Sequence, residues 1–264
     1  MLFKYSVGEN SKIVDETIKK LNDENVIKRI WEKDHTVWSN EPTEISNRLG
    51  WLDSVDVTRK SVKEINEFVD EVRSEGYTHA LLMGMGGSSL APEVFKLSFG
   101  VKEGFLDLSV LDSTHPEVVM DYAKKLNPST TLYIVSTKSG GTVETFSFMK
   151  FFYNYALHIL GKDETGKHFV AITDPGSGLQ AVAEELKFRK IFLNDPNIGG
   201  RFSALSLFGI VPAALVGVDV EKFLSRTNDE VLNCKKSGSS ISENTAAVAG
   251  DGRKSSTPSN LLLS

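Results

Sequence analysis

The sequence predicts an α/β chain: a doubly wound, five-stranded parallel sheet with helices leading into it from the N-terminus. Five short, continuously apolar runs, HALLMGM (79–85), LSVLD (108–112), TLYIVS (131–136), HFVAITD (168–174) and KIFLN (190–194), have the length and composition of strands buried on both faces. Stretches of helical composition separate them, at 90–98, 116–126, 142–160 and 178–187. Repeated strand–helix units need right-handed crossovers, and these force the strands to run parallel. The 264 residues, 40% hydrophobic and 25% charged, suit one such unit with appended helices and a full core.

From Glu9 to Lys33, Ile13, Ile18, Leu21, Val26 and Ile30 recur near helical spacing among charges, predicting one or two amphipathic helices. In SNEPTEISNRLGWLD (39–53) a proline turn precedes Thr43 and Glu44, which are placed to start a short helix, and Trp38 and Trp51 are candidate anchors to the main body. Between Thr58 and Gly76, Val62, Ile65, Phe68, Val69 and Val72 share one helix face, and Gly76 supplies a stop. The strongly apolar stretch 202–225, broken by Gly209, Pro212 and Gly217, reads as buried helices packed on the sheet and is too short and broken for a bilayer span. Beyond Arg226 the chain turns polar and rich in serine and glycine, the composition of a flexible tail. The expected division is a helical segment at 1–76, a ligand-binding α/β domain at 77–225 and a tail at 226–264.

The formal charge of −5 is spread over interleaved acids and bases, which argues against a nucleic-acid partner or an anionic membrane surface. A single cysteine, Cys234, excludes an intramolecular disulfide. The histidines, His35, His79, His115, His158 and His168, are scattered, so no metal site is expected. The first residues lack a basic region followed by an apolar stretch, and a cytoplasmic protein is expected.

In a doubly wound sheet, ligands bind at the carboxyl ends of the strands, near the point where the strand order reverses. The residues directly after the apolar runs are therefore the informative ones. MGMGGSSLAP (83–92) offers close backbone approach at its glycines and a helix start at Ser88 and Ser89. It lacks the third glycine of G-x-G-x-x-G, which disfavours a dinucleotide site. Taken alone, it serves equally as a tight turn or as a ligand loop. STKSGGTVETF (136–146) brings hydroxyls, a lysine and two glycines to the start of a long helix, a set of donors suited to a phosphate. Lys138 precedes the glycines, so this is not a Walker loop. A blander reading has Ser139 or Thr142 merely capping the helix, with Glu144 in its first turn. NDPNIGGRFSALS (194–206) presents Arg201 after Gly199 and Gly200, as a candidate for neutralising negative charge on an oxygen or as a surface arginine paired with Asp195. Asp112, Ser113, Thr114 and Asp174 end other runs and are explained equally well by turn formation.

With MGMGGSSLAPEVF, STKSGGTVETF and NIGGRFSALSLFGIVPAAL in this order, the chain resembles the sugar-isomerase (SIS) fold, with a flavodoxin-like sheet, and specifically the glucose-6-phosphate isomerases. The stretch RIWEKDHTVWSNEPTEISNRLGWLD (29–53) is similar to the linker of bacterial members fused to transaldolase. The resemblance implies a sugar phosphate held by Thr137, Ser139 and Thr142 with Lys138 adjacent, and contacts from Gly87 and Ser88 to the substrate. It further implies that Arg201 stabilises an enediolate and that Glu144 lines the site. The implied reaction interconverts glucose 6-phosphate and fructose 6-phosphate by ring opening and proton transfer between C1 and C2, with no metal or nicotinamide. Members of the family normally carry a second SIS subdomain supplying a carboxylate base, a histidine and a lysine. This sequence is expected to lack it, keeping only a trace in SENTAAVAG (242–250) and DGRK (251–254). A homodimer or a complementary second subdomain is the expected protein partner. A sugar-phosphate-binding module without turnover is the alternative, and a nicotinamide oxidoreductase is disfavoured.

Overall fold

The computed structural model describes residues 11–236, which fall into two compact units. The smaller comprises 11–46 together with 225–236, and the larger 47–224. In the smaller unit, α1 (Ser11–Asp23) and α2 (Val26–Trp31) are the two helices expected, but the residues they bury are Val14 and Ile27, while Ile13, Ile18, Leu21, Val26 and Ile30, named from the spacing, are half-buried. The expected helix start at Thr43 and Glu44 is instead a turn: the Pro42 carbonyl accepts from the amides of Ile45 and Ser46, and Glu44 adopts a left-handed φ of 59° that no helix tolerates.

The larger unit holds the sheet. Helices α3 (Ser54–Arg59) and α4 (Val62–Ser74) precede β1 (His79–Gly84), and α4 buries Val62, Ile65, Phe68, Val69 and Val72, the face that the spacing predicts. After β1 come α5 (Leu90–Phe99), β2 (Asp107–Leu111), α6 (Pro116–Lys125) and β3 (Thr131–Ser136). Then follow α7 (Val143–Leu160), the short α8 (Lys162–Thr165), β4 (Phe169–Thr173), α9 (Gly178–Glu185) and β5 (Lys190–Leu193). The stretch after β5 forms α10 (Leu207–Leu215), buried along its whole length, and α11 (Val220–Cys234), whose helix continues past Arg226 where composition suggested a tail. The remainder of that expected tail lies outside the described residues.

All strand pairs are parallel and the order is β2-β1-β3-β4-β5. The flavodoxin-like, doubly wound sheet expected from the sequence is the observed one. Its central strands are continuously apolar because both faces are covered: Ala80–Met83, Leu132–Val135 and Phe169–Ile172 are all buried. On one face Leu81, Met83, Tyr133, Val135, Phe169 and Ala171 pack with Phe148, Met149, Phe152 and Ala156 of α7 and with Leu179 and Ala183 of α9. On the other, α10 lies against α4 and α5, and Phe68 meets Phe192 edge-on at 5.3 Å. Among the described residues no helix is long and apolar enough to cross a membrane.

Successive strands depart in opposite directions from the β1/β3 pair, so a crevice opens at the carboxyl ends of these two strands. At the opposite, amino edge the sheet is tied by charge. Arg189 pairs with Glu71 at 2.5 Å and Glu75 at 2.6 Å and lies over the Tyr77 ring. Beside it the buried His168 donates from Nδ1 to the Thr131 carbonyl at 3.2 Å. Burial pushes this imidazole below its ordinary value, the Thr131 bond opposes that, and the Arg189 charge adds to the depression.

The sign of the resulting pH dependence follows. A histidine with a depressed folded pKa contributes stability that is complete above its unfolded value of about 6.5 and is lost as pH falls through the folded value. Urea unfolding should therefore show stability declining below about pH 6.5. His168→Asn, which keeps a donor for the Thr131 carbonyl, should flatten that decline. Glu75, held low by Arg189, adds its own loss only in the more acidic range where carboxylates titrate. An unaltered slope in the variant would assign the dependence to another group.

Candidate functional site

Three loops and one helix end meet at the carboxyl edge of the sheet. The first follows β1. Gly86 takes a positive φ of 56° that lets the chain reverse, and Ser89 closes the turn with its hydroxyl 3.0 Å from the Gly86 carbonyl. Gly87 faces the loop after β5 so closely that a β-carbon there would overlap the carbonyl oxygen of Gly200. Ser203 bridges the two loops, its hydroxyl 3.1 Å from the Gly87 carbonyl and 2.7 Å from that of Gly200. Ser88 is joined to the next strand, since its carbonyl accepts from Ser136 Oγ at 3.3 Å. Ser136 in turn pairs in register with Gly84.

The second loop, 137–142, leads from β3 into the eighteen residues of α7. Gly140 has a φ of 65°, and a side chain there would drive into the amides of Gly178 and Leu179 at the start of α9. Thr142 is the residue before α7, yet its side chain does not cap the helix; its hydroxyl lies 3.1 Å from that of Thr137. Ser139 is exposed and accepts from the Gly141 amide at 3.3 Å. The capping explanation therefore fails for both hydroxyls. The first-turn amides of α7, without a side-chain cap, face the edge where the loops meet, and such amides favour an anion.

Lys138 points elsewhere. Its ammonium is bonded to Asp174 Oδ2 at the end of β4 and to the Pro196 carbonyl, at 2.9 Å, in the loop after β5. Burial holds the Asp174 carboxyl above its ordinary value in spite of the lysine, and Asp174 Oδ1 is buried without a partner of hydrogen-bonding geometry among the described residues. From the sequence alone, lining the cleft and forming a turn are equally good accounts of Asp174. The signal it carried was its position directly after an apolar run. Ser203 was missed, since nothing local distinguishes it from the other serines of SALS.

The third loop, 194–205, is braced from behind. Leu49 forms a bridge with Ile198, the Gly50 amide donates to the Asn197 carbonyl at 2.9 Å, and Trp51 stacks on Phe202 with ring centroids 5.7 Å apart. Arg201 is exposed and makes no ion pair among the described residues. Asp195 accepts instead from the amide and the side chain of Asn197, each at 2.9 Å, so the surface pairing considered for the arginine is not formed. Glu144, half-buried in the first turn of α7, likewise has no hydrogen-bonding partner among the described residues. Of the candidate residues, Thr137 and Thr142 thus meet through their hydroxyls, Gly87, Ser88 and Lys138 are each tied to a neighbouring element, and Ser139 bonds only within its own loop. Glu144 and Arg201 are presented from neighbouring elements with uncommitted side chains.

Residues 12–247 match the family described as phosphoglucose isomerase. The chain belongs to the phosphoglucose isomerase family. Among curated relatives it is 32% identical over 186 residues to a glucose-6-phosphate isomerase of Thermus thermophilus, covering 69% of this chain and 42% of that protein. It is 32% identical over 212 residues to the enzyme of that name from Carboxydothermus hydrogenoformans, covering 76% of this chain and 44% of the other. The chain therefore spans less than half the length of these relatives. Two crystal structures share the fold: a hypothetical protein of Thermus thermophilus, with a TM-score of 0.75 and 26% identity over 90% of this chain and 54% of the other; and a glucose-6-phosphate isomerase of Chlamydia trachomatis, with a TM-score of 0.78 and 17% identity over 92% of this chain and 50% of the other.

The close approach at Gly87 gives a direct test of how the loops are held. Gly87→Ala should cost about 1–3 kcal/mol in urea unfolding, because the added carbon must push the two loops apart. Gly200→Ala, where a β-carbon meets nothing within 4 Å, should stay within about 0.5 kcal/mol of the parent. Equal effects would mean that the two loops do not depend on this contact.

Proposed function

We propose that the crevice at the β1/β3 switch point binds the phosphate of a hexose phosphate, and that this chain supplies the sugar-phosphate half of a glucose-6-phosphate isomerase site. The observation that carries the reading is the N-terminus of α7, left without a side-chain cap and preceded by a loop that carries the hydroxyls of Thr137, Ser139 and Thr142. In this reading the α7 amides and those hydroxyls take the phosphate oxygens. Gly87 and Ser88 face the sugar. Arg201, held at the rim by the Gly87–Ser203–Gly200 contact and without an ion pair, meets negative charge developing on the substrate oxygen as a proton moves between C1 and C2. Glu144 lines the same opening.

Moving that proton also needs a positioned base, whose absence typically costs roughly 10²–10⁴-fold in rate. The family resemblance assigns it to a second subdomain, in the same polypeptide or in another chain. Turnover is tested by following fructose 6-phosphate formation from glucose 6-phosphate, with the chain alone and with a second subdomain of a relative supplied in trans. Activity that never exceeds the uncatalysed rate in either case would reject the isomerase reading. The similarity of 29–53 to the linker of transaldolase-fused members extends the proposal to a transaldolase in the same polypeptide, and the reading frame upstream tests it.

A second reading, a sugar-phosphate-binding module without turnover, draws on the same loop, which lies wholly within the described residues. Both readings predict that calorimetry detects fructose 6-phosphate binding. Ser139→Ala combined with Thr142→Ala should weaken it tenfold or more, since a hydrogen bond to a charged group contributes roughly 1.5–3 kcal/mol. Affinity that survives both substitutions would show that the phosphate sits elsewhere.

A further inference from the structure

Lys138 lies in the middle of the loop proposed to hold the phosphate, and a lysine there invites assignment as a phosphate ligand. Its bonds run the other way. The side chain is only 22% exposed and its ammonium is committed to two acceptors, Asp174 Oδ2 and the Pro196 carbonyl. The Asp174 side chain is 12% exposed, so this is an ion pair largely withdrawn from water. The backbone of Lys138 is fixed to the same partner: its carbonyl accepts from the Asp174 amide at 3.1 Å and from Thr173 Oγ1 at 3.3 Å. The preceding residue continues the pairing, with the Thr137 amide donating to the Ile172 carbonyl at 3.1 Å. One residue thus joins the ends of β3, β4 and β5, and Pro196 leads into the segment that presents Gly199, Gly200 and Arg201.

We propose that Lys138 and Asp174 are positioning residues: the pair fixes the 137–142 loop against the ends of β4 and β5, and the lysine does not touch the phosphate. This deepens the sugar-phosphate reading above and rests on it for the ligand. Two physical points favour it. Recruiting Lys138 to a phosphate would leave the Asp174 carboxylate largely buried without its counter-charge, an arrangement more costly than either paired state. The loop also has a specific need for a strut. Gly140 carries a positive φ and packs tightly on the start of α9, so small displacements of 137–142 would be transmitted to the amides at the start of α7.

The test combines a ligand-free and a liganded measurement on the full chain, with Asp174→Asn and Lys138→Met. Asp174→Asn keeps an oxygen acceptor for the lysine and should fold even where Lys138→Met, which strands a carboxylate, does not. Without ligand, hydrogen exchange should speed up at least tenfold for the amides of 139–142 and 197–201 in either variant, while the central strands stay unchanged. Unchanged exchange in those loops overturns the proposal. With fructose 6-phosphate, each variant should weaken binding about tenfold, the double variant no more than the worse single, and the dependence of affinity on salt should match the parent. Tighter binding by Asp174→Asn, which releases the lysine, or a shallower salt dependence in Lys138→Met, would identify Lys138 as a direct ligand and also overturn it. If the parent binds no sugar phosphate, the functional reading fails, and the exchange measurement still decides the role of the pair.

Discussion

The carbonyl of Gly200 occupies the space that a β-carbon on Gly87 would need, and most of the carboxyl edge is arranged around that approach. Gly87 follows β1 and Gly200 follows β5, strands separated by two others in the sheet. Bringing their loops into backbone contact requires the chain to arch over the ends of β3 and β4. Ser203 makes the contact durable by sharing one hydroxyl between the two carbonyls, and the bridge from Leu49 to Ile198 supports the arch from outside. Glycine at 87 is therefore a packing requirement as much as a conformational one.

The two edges of the sheet use charge differently. At the amino edge Arg189 is shared between two carboxylates on α4 and its end, next to the neutral, buried His168, an arrangement that fastens a helix to a strand. At the carboxyl edge the Lys138–Asp174 pair joins loops to one another, while Arg201 and Glu144 are left with uncommitted side chains. The proposed ligand site needs this combination: a frame held by its own ion pair and hydrogen bonds, and a few polar groups kept available for the ligand. The uncapped start of α7 belongs to the second group, because the threonine that would cap it bonds Thr137 instead.

Continuous burial of the central strands explains why the sheet could be recognised so readily. A parallel strand covered on both faces has no polar side, so each appears as an uninterrupted apolar run, and helices of α4's type appear as a one-sided stripe. The turn at Thr43–Glu44 is not legible in the sequence for the complementary reason. Cap-like residues there carry a local preference for starting a helix, and the left-handed backbone at Glu44 overrides it.

By itself the sequence determined the five strands, their parallel sense, the helices between them and the three loops that follow β1, β3 and β5. These are legible because apolarity, period and glycine content are properties of neighbouring residues. Membership of the phosphoglucose isomerase family rests on the match over residues 12–247. Only the tertiary structure decided that Gly87 meets Gly200, that Ser203 joins them, that Thr142 bonds Thr137 rather than capping α7, and that Lys138 turns to Asp174. Each of these depends on which strand ends lie side by side and how far each loop reaches. That information resides in the order β2-β1-β3-β4-β5 and not in any single stretch of chain.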